Sequence, residues 1–460
     1  DLLADDGVIF ISIDDNEQAN LKLLCDNIYG EENFIANVIW QKRTSPDARC
    51  NLGAAHDYLL VYAQDKGNID HILNKIELSE NRKNEYSNPD NDPRGPWAST
   101  DITGQVGHAT QSQFYTITTP SGKKLTPPTG RCWAMAENTF NNLVKDNRIW
   151  FGNDGSSRPR RKNFLSETEG MNIWTWWQNT EVGHNQEATK ELKELMGDDV
   201  FTNPKPTRLI DRILALATYK DSLIVDFFSG SATTAHSIFK SDAKDNGKRK
   251  FILVQLPEDL DASLKRASAG TKSTIKNAIN MLDKIGKPHT LDEIGMERIR
   301  RAANKIREEY PQYQGDLGFK HFTLQEPSQH QLYAIEDFNP DENLDAFGSP
   351  ILESFGRETV LTTWLARDRQ GLNAEVKEVK LADYTAYWCN HYLYLTDSGF
   401  SEEAAKALVE EYGHNMDFNP ENVIVFGYSL SFSEMERLKY SLQVLRNTEK
   451  SLNFNLNVRY

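Results

Sequence analysis

The chain has 460 residues, 38% hydrophobic and 26% charged, a composition typical of globular proteins and a length sufficient for about three domains. Its formal net charge of −15 argues against a protein that coats DNA indiscriminately, although a local basic patch could still bind DNA. No apolar run approaches the roughly 18 residues of a membrane span, there is no signal-peptide pattern, and the four cysteines lack Cys-x-x-Cys spacing. The sequence therefore predicts a cytoplasmic protein without a metal site.

The first predicted elements are a strand and a helix. Residues 7–13 form a continuous apolar run, which is typical of a buried strand in a parallel sheet. Asp14 and Asp15 follow and are candidates for the cap of a helix that ends at Gly30. We expect the apolar face of this helix to consist of Leu21, Leu24 and Ile28.

Residues 64 to about 200 differ in composition from the strands predicted before them at residues 34–41 and 58–63. Gly, Pro, Asn and aromatic residues are frequent there, and helical periodicity is poor until Glu187. This indicates a loop-rich inserted domain. Its densest basic cluster could contact DNA phosphates and guanine edges, or form a solvated loop; its members are Arg158, Arg160, Arg161 and Lys162.

Regular α/β structure returns near residue 200. The pattern predicts a helix at residues 209–216, a strand at 222–227, a helix at 233–240 and a strand at 251–255. Residues 260–309 are predicted to be mostly helical. Within them, Arg298, Arg300 and Arg301 are expected on an exposed helix face. The remainder alternates strands and helices without a recognisable chemical motif.

The segment that joins the strand at 222–227 to its helix carries the strongest chemical signal. Asp226 ends the strand, small residues occupy positions 229–232, and Thr233 begins the helix. Small residues let a ligand approach the backbone, helix N–H groups bind a carboxylate, and the aspartate can receive an ammonium group. These groups describe the amino-acid part of S-adenosylmethionine. The alternative is a plain strand–turn–helix; a P-loop or dinucleotide fingerprint is disfavoured by the lack of the required lysine and glycines.

Seven segments support a family resemblance through their order: residues 5–17, 56–62, 204–206, 226–234, 250–258, 297–302 and 316–320. As a set they resemble the β-class of amino-group DNA methyltransferases and, more narrowly, the modification (Mod) subunit of type III restriction–modification systems. The likeness covers residues 1 to about 320. It implies an α/β, Rossmann-like methyltransferase sheet with an inserted target-recognition domain and a C-terminal α/β appendage. The expected domains are a catalytic half at 1–63, a target-recognition domain at 64–200, a cofactor-binding half at 201–310 and an assembly domain at 311–460.

The resemblance also implies an S-adenosylmethionine pocket. Since the family usually has a second glycine where Ala232 stands, and alanine disfavours positive φ, we expect a right-handed or extended backbone there. The family's catalytic signature, Asp-Pro-Pro-Tyr, does not occur in the sequence. No catalytic residue is therefore assigned, and the chain is expected to be an inactive fragment that lacks its N-terminus. The expected cofactor residues are Lys205, Pro206, Asp226, Phe228, Gly230, Ala232, Thr233, Thr234 and Gln255, with Glu258 as the alternative to Gln255 at the ribose.

Further residues are candidates for DNA contact. Lys42 and Arg43 follow a strand expected to end near the active face, where DNA contact and solvation are both open. His56 is expected to begin a strand rather than face the base pocket. The tryptophans near the basic cluster are expected in the core rather than stacked on bases; they are Trp174, Trp176 and Trp177.

The leading hypothesis is an N6-adenine DNA methyltransferase that flips the base and transfers the methyl group directly, without a catalytic cysteine. By resemblance its partners are double-stranded DNA, a second copy of the chain in a homodimer, and a restriction (Res) subunit. The alternative from another class is a non-catalytic DNA-recognition and assembly module. An N4-cytosine methyltransferase and a nucleotide-dependent oxidoreductase are less well supported.

Overall fold

The apolar runs at the start of the chain form one sheet. In the computed structural model, which describes residues 2–45, 51–68, 72–324, 326, 355–446 and 454–459, strands β1 (Val8–Ile13), β2 (Phe34–Gln41) and β3 (His56–Ala63) pair in the order β1–β3–β2. Strand β3 is antiparallel to both neighbours. The prediction of a strand at residues 7–13 is confirmed, but the prediction of a parallel neighbour is wrong for β3. An apolar run indicates that a strand is buried, but it does not indicate whether the adjacent strand is parallel or antiparallel.

Helix α1 (Gln18–Tyr29) covers this sheet with a different face from the predicted one. Its inner side packs against Leu60 and Tyr62 of β3 and consists of Leu21, Cys25 and Tyr29. Because these residues are spaced by four, they share one stripe of the helix. Leu24 and Ile28 are exposed, so the predicted face is wrong for both. The helix ends at Gly30 as predicted, whereas its N-cap is Glu17 and neither predicted aspartate.

The segment between residues 72 and 200 forms small sheets around a core of its own. Strand β10 (Arg160–Phe164) lies between β4 (Trp97–Asp101) and β9 (Ile149–Trp150) and is antiparallel to both. At β11 (Trp176–Trp177) the chain returns to the first sheet, parallel to β2. The core contains Ile102, Ile117, Trp133, Phe140, Ile149 and Phe151. The other elements are the strand pairs β5 (Thr103–Gln105) with β8 (Arg131–Trp133) and β6 (Ile117–Thr118) with β7 (Lys124–Leu125), and helices α2 (Glu80–Lys83), α3 (Glu137–Lys145), α4 (Asn179–Val182) and α5 (Asn185–Met196).

A parallel strand–helix–strand unit follows, as predicted. Helix α6 (Thr207–Ala217) leads into β12 (Leu223–Asp226), and α7 (Thr233–Asp245) connects β12 to the parallel strand β13 (Lys250–Leu253). Leu209 and Leu216 of α6 pack into the core of the first sheet beside Trp40, which joins the two halves. The last three helices of this unit are α8 (Leu260–Arg266), α9 (Lys272–Lys284) and α10 (Leu291–Glu309). Helix α10 packs against α7 and α5.

The chain divides into two units, Asp1–Gly318 and Phe319–Tyr460. The second unit has a five-stranded sheet whose last three strands are parallel. Its main core lies beneath the helices at Glu402–His414 and Phe432–Arg446. No helix among the described residues has the length and apolar character needed to cross a membrane. The elements of the second unit are α11 (Arg357–Arg367), β14 (Lys377–Leu381), β15 (Tyr384–Cys389), β16 (Tyr392–Leu395), α12 (Glu402–His414), β17 (Asn422–Phe426), α13 (Phe432–Arg446) and β18 (Asn455–Arg459).

Candidate functional site

The loop between β12 and α7, residues 226–234, is held by side-chain hydrogen bonds and is called the β12–α7 loop below. Asp226 accepts from the Phe228 N–H through Oδ1 at 3.2 Å and from the Thr234 hydroxyl through Oδ2 at 2.6 Å. The Gly230 N–H donates to Oε1 of Gln255 at 2.8 Å. Five of the predicted cofactor residues therefore lie close together.

Two residues of this loop have left-handed backbone. Gly230 has a φ of 52°, and Ala232 has a φ of 57° and a ψ of 39°. The expectation of a right-handed or extended backbone at Ala232 is therefore wrong. A left-handed conformation costs an alanine roughly 1–2 kcal/mol, and the surroundings impose it: Ala232 is buried and its N–H donates to the Ser229 carbonyl at 2.7 Å. Backbone strain of this kind is concentrated at functional sites.

Helix α7 begins directly after the strained turn. Its first turn has backbone N–H groups without acceptors inside the helix and carries a partial positive charge. The side chains of this turn are used for support, because the Thr233 hydroxyl donates to the Lys205 carbonyl at 3.2 Å and the Thr234 hydroxyl to Asp226. The groups left to bind an anion are the N–H groups of the backbone.

A charged cluster adjoins the loop through Lys205. Its Nζ lies 3.4 Å from Oδ2 of Asp57 and 4.6 Å from the centroid of the Trp40 ring. Burial lowers the pKa of Lys205, and the nearby carboxylate of Asp57 opposes this effect. Asp57 also pairs with Lys42, so a phosphate contact by Lys42 would compete with an existing ion pair. Pro206 is the N-cap residue of α6 and fixes the backbone beside Lys205.

The aromatic residue Phe228 and the two candidates for the ribose contact, Gln255 and Glu258, lie in different environments. Phe228 is 84% exposed. Gln255 uses Oε1 for the loop, and its Nε2 donates to the Leu256 carbonyl at 3.2 Å. Glu258 accepts from the Ser263 hydroxyl at 2.6 Å. Gln255 thus holds the β12–α7 loop, a role that the sequence did not suggest, and its contact with a ribose stays a prediction.

Helix α10 places Arg298 in the interior, although the sequence predicts an exposed position. Arg298 is completely buried, and its Nη1 donates to the Thr233 hydroxyl at 2.7 Å and to the Ser231 hydroxyl at 2.9 Å. The expectation of an exposed face is wrong for Arg298, because the β12–α7 loop and α7 cover that side of α10. Arg300 and Arg301 are partly buried and ion-paired within the helix.

The basic cluster of the inserted segment divides between surface and interior. Lys162 is completely buried and pairs with Asp90 and Asp92. The prediction that Lys162 contacts DNA is therefore wrong, since two carboxylates neutralise its charge away from the surface. Three members of the cluster are exposed: Arg158, Arg160 and Arg161.

The nearby aromatic residues divide in the same way. Trp177 is buried as predicted, whereas Trp174 is 84% exposed, so the prediction of a core position is wrong for Trp174; Trp176 is half exposed. His56 begins β3 as predicted and meets the Tyr58 ring edge-on at 5.0 Å. Among the residues that the structure describes, no group of three or more His, Cys, Asp or Glu side chains could hold a metal ion.

Comparison with known proteins identifies the family. Residues 1–258 match the model of a DNA methylase family, and residues 355–452 match the model of the type III R-M EcoP15I C-terminal domain. The Mod subunit of the type III restriction-modification enzyme StyLTI from Salmonella typhimurium is 34% identical over 96% of this chain and 68% of that protein. The EcoPI Mod subunit of Escherichia phage P1 and the EcoP15I Mod subunit of Escherichia coli are 28% and 27% identical over the whole chain and 71% of each protein.

The fold and the comparisons together define the class of protein. The chain belongs to the DNA methylases, and among them to the Mod subunits of type III restriction-modification enzymes. The predicted family, fold class and DNA methyltransferase function are thereby confirmed. A solved structure, the cytosine-N4-specific PvuII DNA methyltransferase, is 12% identical with a TM-score of 0.26 over 61% of this chain and 72% of that one, values too low to support an argument.

Proposed function

We propose that the β12–α7 loop binds S-adenosylmethionine and that the chain serves a methyltransferase specific for adenine N6 in double-stranded DNA. The observation that carries this proposal is Asp226 beside the N-terminus of α7. The carboxylate of Asp226 can pair with the ammonium group of an amino acid, and the N–H groups of the helix can bind its carboxylate. When bound, the cofactor would supply an electrophilic methyl group.

The residues present fit this ligand. Asp226 accepts two hydrogen bonds in the structure, and an ionised carboxylate has about four acceptor positions, so an ammonium group can still bind. The turn at Gly230 brings backbone close to the ligand without a side chain between them. Lys205 and Pro206 would close the methionine end, Phe228 would cover the adenosine, and Gln255 or Glu258 would bind the ribose.

Calorimetry with S-adenosylhomocysteine tests the pocket. Replacing the half-buried Asp226 by Ala or Asn should abolish measurable binding, because the ammonium group loses the carboxylate that we assign to it. Asp221→Asn is the matched control, since Asp221 is an exposed carboxylate just before β12. Equal affinities of the Asp226 variants and the wild type would refute the assignment.

The expected DNA contacts are the exposed arginines of the inserted segment. Arg158, Arg160 and Arg161 would bind phosphates or guanine edges, with Arg43 near the end of β2 as a further candidate. Gel shifts with an Arg160→Ala/Arg161→Ala variant should show weaker DNA binding and a smaller salt dependence.

We propose a role for each domain of the chain. Residues 64–200 would select the target, and residues 201–310 would form the cofactor half beside the catalytic half at 1–63. Residues 311–460 would serve assembly with a second copy of the chain and a Res subunit.

A methylation assay separates two forms of the proposal. The 460 residues lack Asp-Pro-Pro-Tyr, whose side chains would hold the flipped adenine. We therefore expect this chain to bind cofactor and DNA without transferring a methyl group by itself, which makes it a recognition and assembly module when isolated. Methyl transfer to adenine by the purified chain would overturn that expectation and leave the proposed cofactor pocket intact.

A further inference from the structure

Helix α10 lies directly against the β12–α7 loop. At Gly295 the two backbones approach closely: a Cβ built at this position would lie 3.2 Å from the Gly230 carbonyl oxygen and 3.5 Å from the Ala232 Cβ. Arg298 follows three residues later, on the same face of the helix. One face of α10 therefore lies against both left-handed residues of the loop and the start of α7.

No carboxylate in the part of the chain that the structure describes forms an ion pair with Arg298. The guanidinium is completely buried, its Nη1 donates to the hydroxyls of Ser231 and Thr233, and its Nε and Nη2 have no hydrogen-bond partner among the described residues. Burial lowers the pKa of Arg298 to about 10, with Glu191 opposing the shift from a distance. Arg298 therefore remains protonated at neutral pH, and a buried cation without an ion-paired carboxylate among the described residues lies beneath the loop.

The neighbours of this cation do not neutralise it. Burial and the positive charges of Arg298 and Lys240 lower the pKa of His236 to about 3, which leaves His236 uncharged. Burying an ionised group without a counter-charge costs several kcal/mol. An anion at the first turn of α7 would offset this cost, because it would lie near both the guanidinium and the positive end of the helix.

We propose that Arg298 is a positioning residue for the carboxylate of S-adenosylmethionine, acting through Ser231 and Thr233 and through its charge rather than by direct contact. The inference rests on the proposed cofactor site and adds a specific role to a residue outside the loop. It predicts that the effect of Arg298 depends on the carboxylate of the ligand.

Two ligands and three variants test this role. S-adenosylhomocysteine contains the amino-acid carboxylate, whereas 5′-methylthioadenosine lacks the whole amino-acid end. Arg298→Met should weaken binding of S-adenosylhomocysteine about tenfold or more and change binding of 5′-methylthioadenosine by less than about twofold. Arg298→Lys, which retains the charge, should restore most of the affinity. Arg307→Met is the control, because Arg307 is an exposed arginine of the same helix whose Nη1 donates to Asn304.

The outcomes distinguish the inference from the proposed function. An equal loss for both ligands would show a purely structural role and overturn the inference, as would no loss for either. If Arg298→Met does not fold, Arg298→Lys decides, since a folded Lys variant that no longer prefers S-adenosylhomocysteine over 5′-methylthioadenosine also overturns it. Failure of the wild-type chain to bind either ligand would instead refute the proposed cofactor site.

Discussion

Replacing Gly295 by alanine would test whether α10 sets the position of the β12–α7 loop. The added methyl group would lie 3.2 Å from the Gly230 carbonyl oxygen, a separation that requires a shift of a few tenths of an ångström. Because α10 also packs against α5 and α9, we expect the loop to shift rather than the helix. Alanine improves helix propensity by about 1 kcal/mol, whereas overpacking a close contact costs about 1–3 kcal/mol. The free energy of unfolding should therefore fall by roughly 0–2 kcal/mol.

The affinity for S-adenosylhomocysteine should fall more clearly than the stability. A shift of the loop would weaken its hydrogen bonds to the ligand, and a loss of about 0.7–1.4 kcal/mol corresponds to about three- to tenfold in affinity. Denaturant titration and calorimetry measure the two quantities on the same protein. Gly413→Ala is the control: Gly413 lies in helix α12 with no atom near its missing Cβ, so this variant should not lose affinity. An unchanged affinity in Gly295→Ala, with stability raised by about 1 kcal/mol, would refute the reasoning.

Three further predictions concern burial and strain. Lys162→Met should destabilise the chain by about 3–5 kcal/mol in denaturant titration, because it leaves two carboxylates without their buried cation; a loss below 1 kcal/mol would show that these groups rehydrate. Hydrogen bonds from Arg94 hold the pKa of Asp92 well below its usual range, so its stabilisation is present above about pH 4 and is lost as the pH falls; Asp92→Asn should reduce the acid sensitivity of unfolding, and an unchanged pH profile would contradict this. Ala232→Gly should leave the free energy of unfolding nearly unchanged, since relief of the left-handed strain and loss of a buried methyl group nearly cancel. The cofactor affinity should change by less than about twofold. A fivefold loss of affinity would be evidence that the alanine side chain itself shapes the pocket.

The sequence identifies the candidate loop because its signals are local. An apolar run ending in Asp226, followed by small residues and Thr233, specifies a strand, a turn and a helix without reference to the rest of the chain. The backbone at Ala232 was not predictable in this way. Propensity favours right-handed or extended alanine, and only the buried contacts of the finished fold impose a positive φ.

Helix faces were predicted less well than helices, for a related reason. Leu24 and Ile28 have the spacing of an apolar face, yet the sheet packs against the stripe through Cys25 and leaves both exposed. Arg298 belongs to a charged run that is typical of a solvated surface, but the β12–α7 loop covers it. Which side of a helix is buried depends on partners that are distant in sequence, and the periodicity of one segment does not contain that information.

Two buried cations show how burial alone fails to indicate function. Lys162 and Arg298 are both completely buried, and both were expected at the surface. Two carboxylates pair with Lys162 and neutralise its charge, so Lys162 forms a structural ion pair. Arg298 has hydroxyl partners but no ion-paired carboxylate in the described part of the chain, so an anion bound nearby would supply the missing counter-charge. The presence or absence of a neutralising partner, rather than the residue type or its depth, is what separates a structural cation from one that favours a ligand.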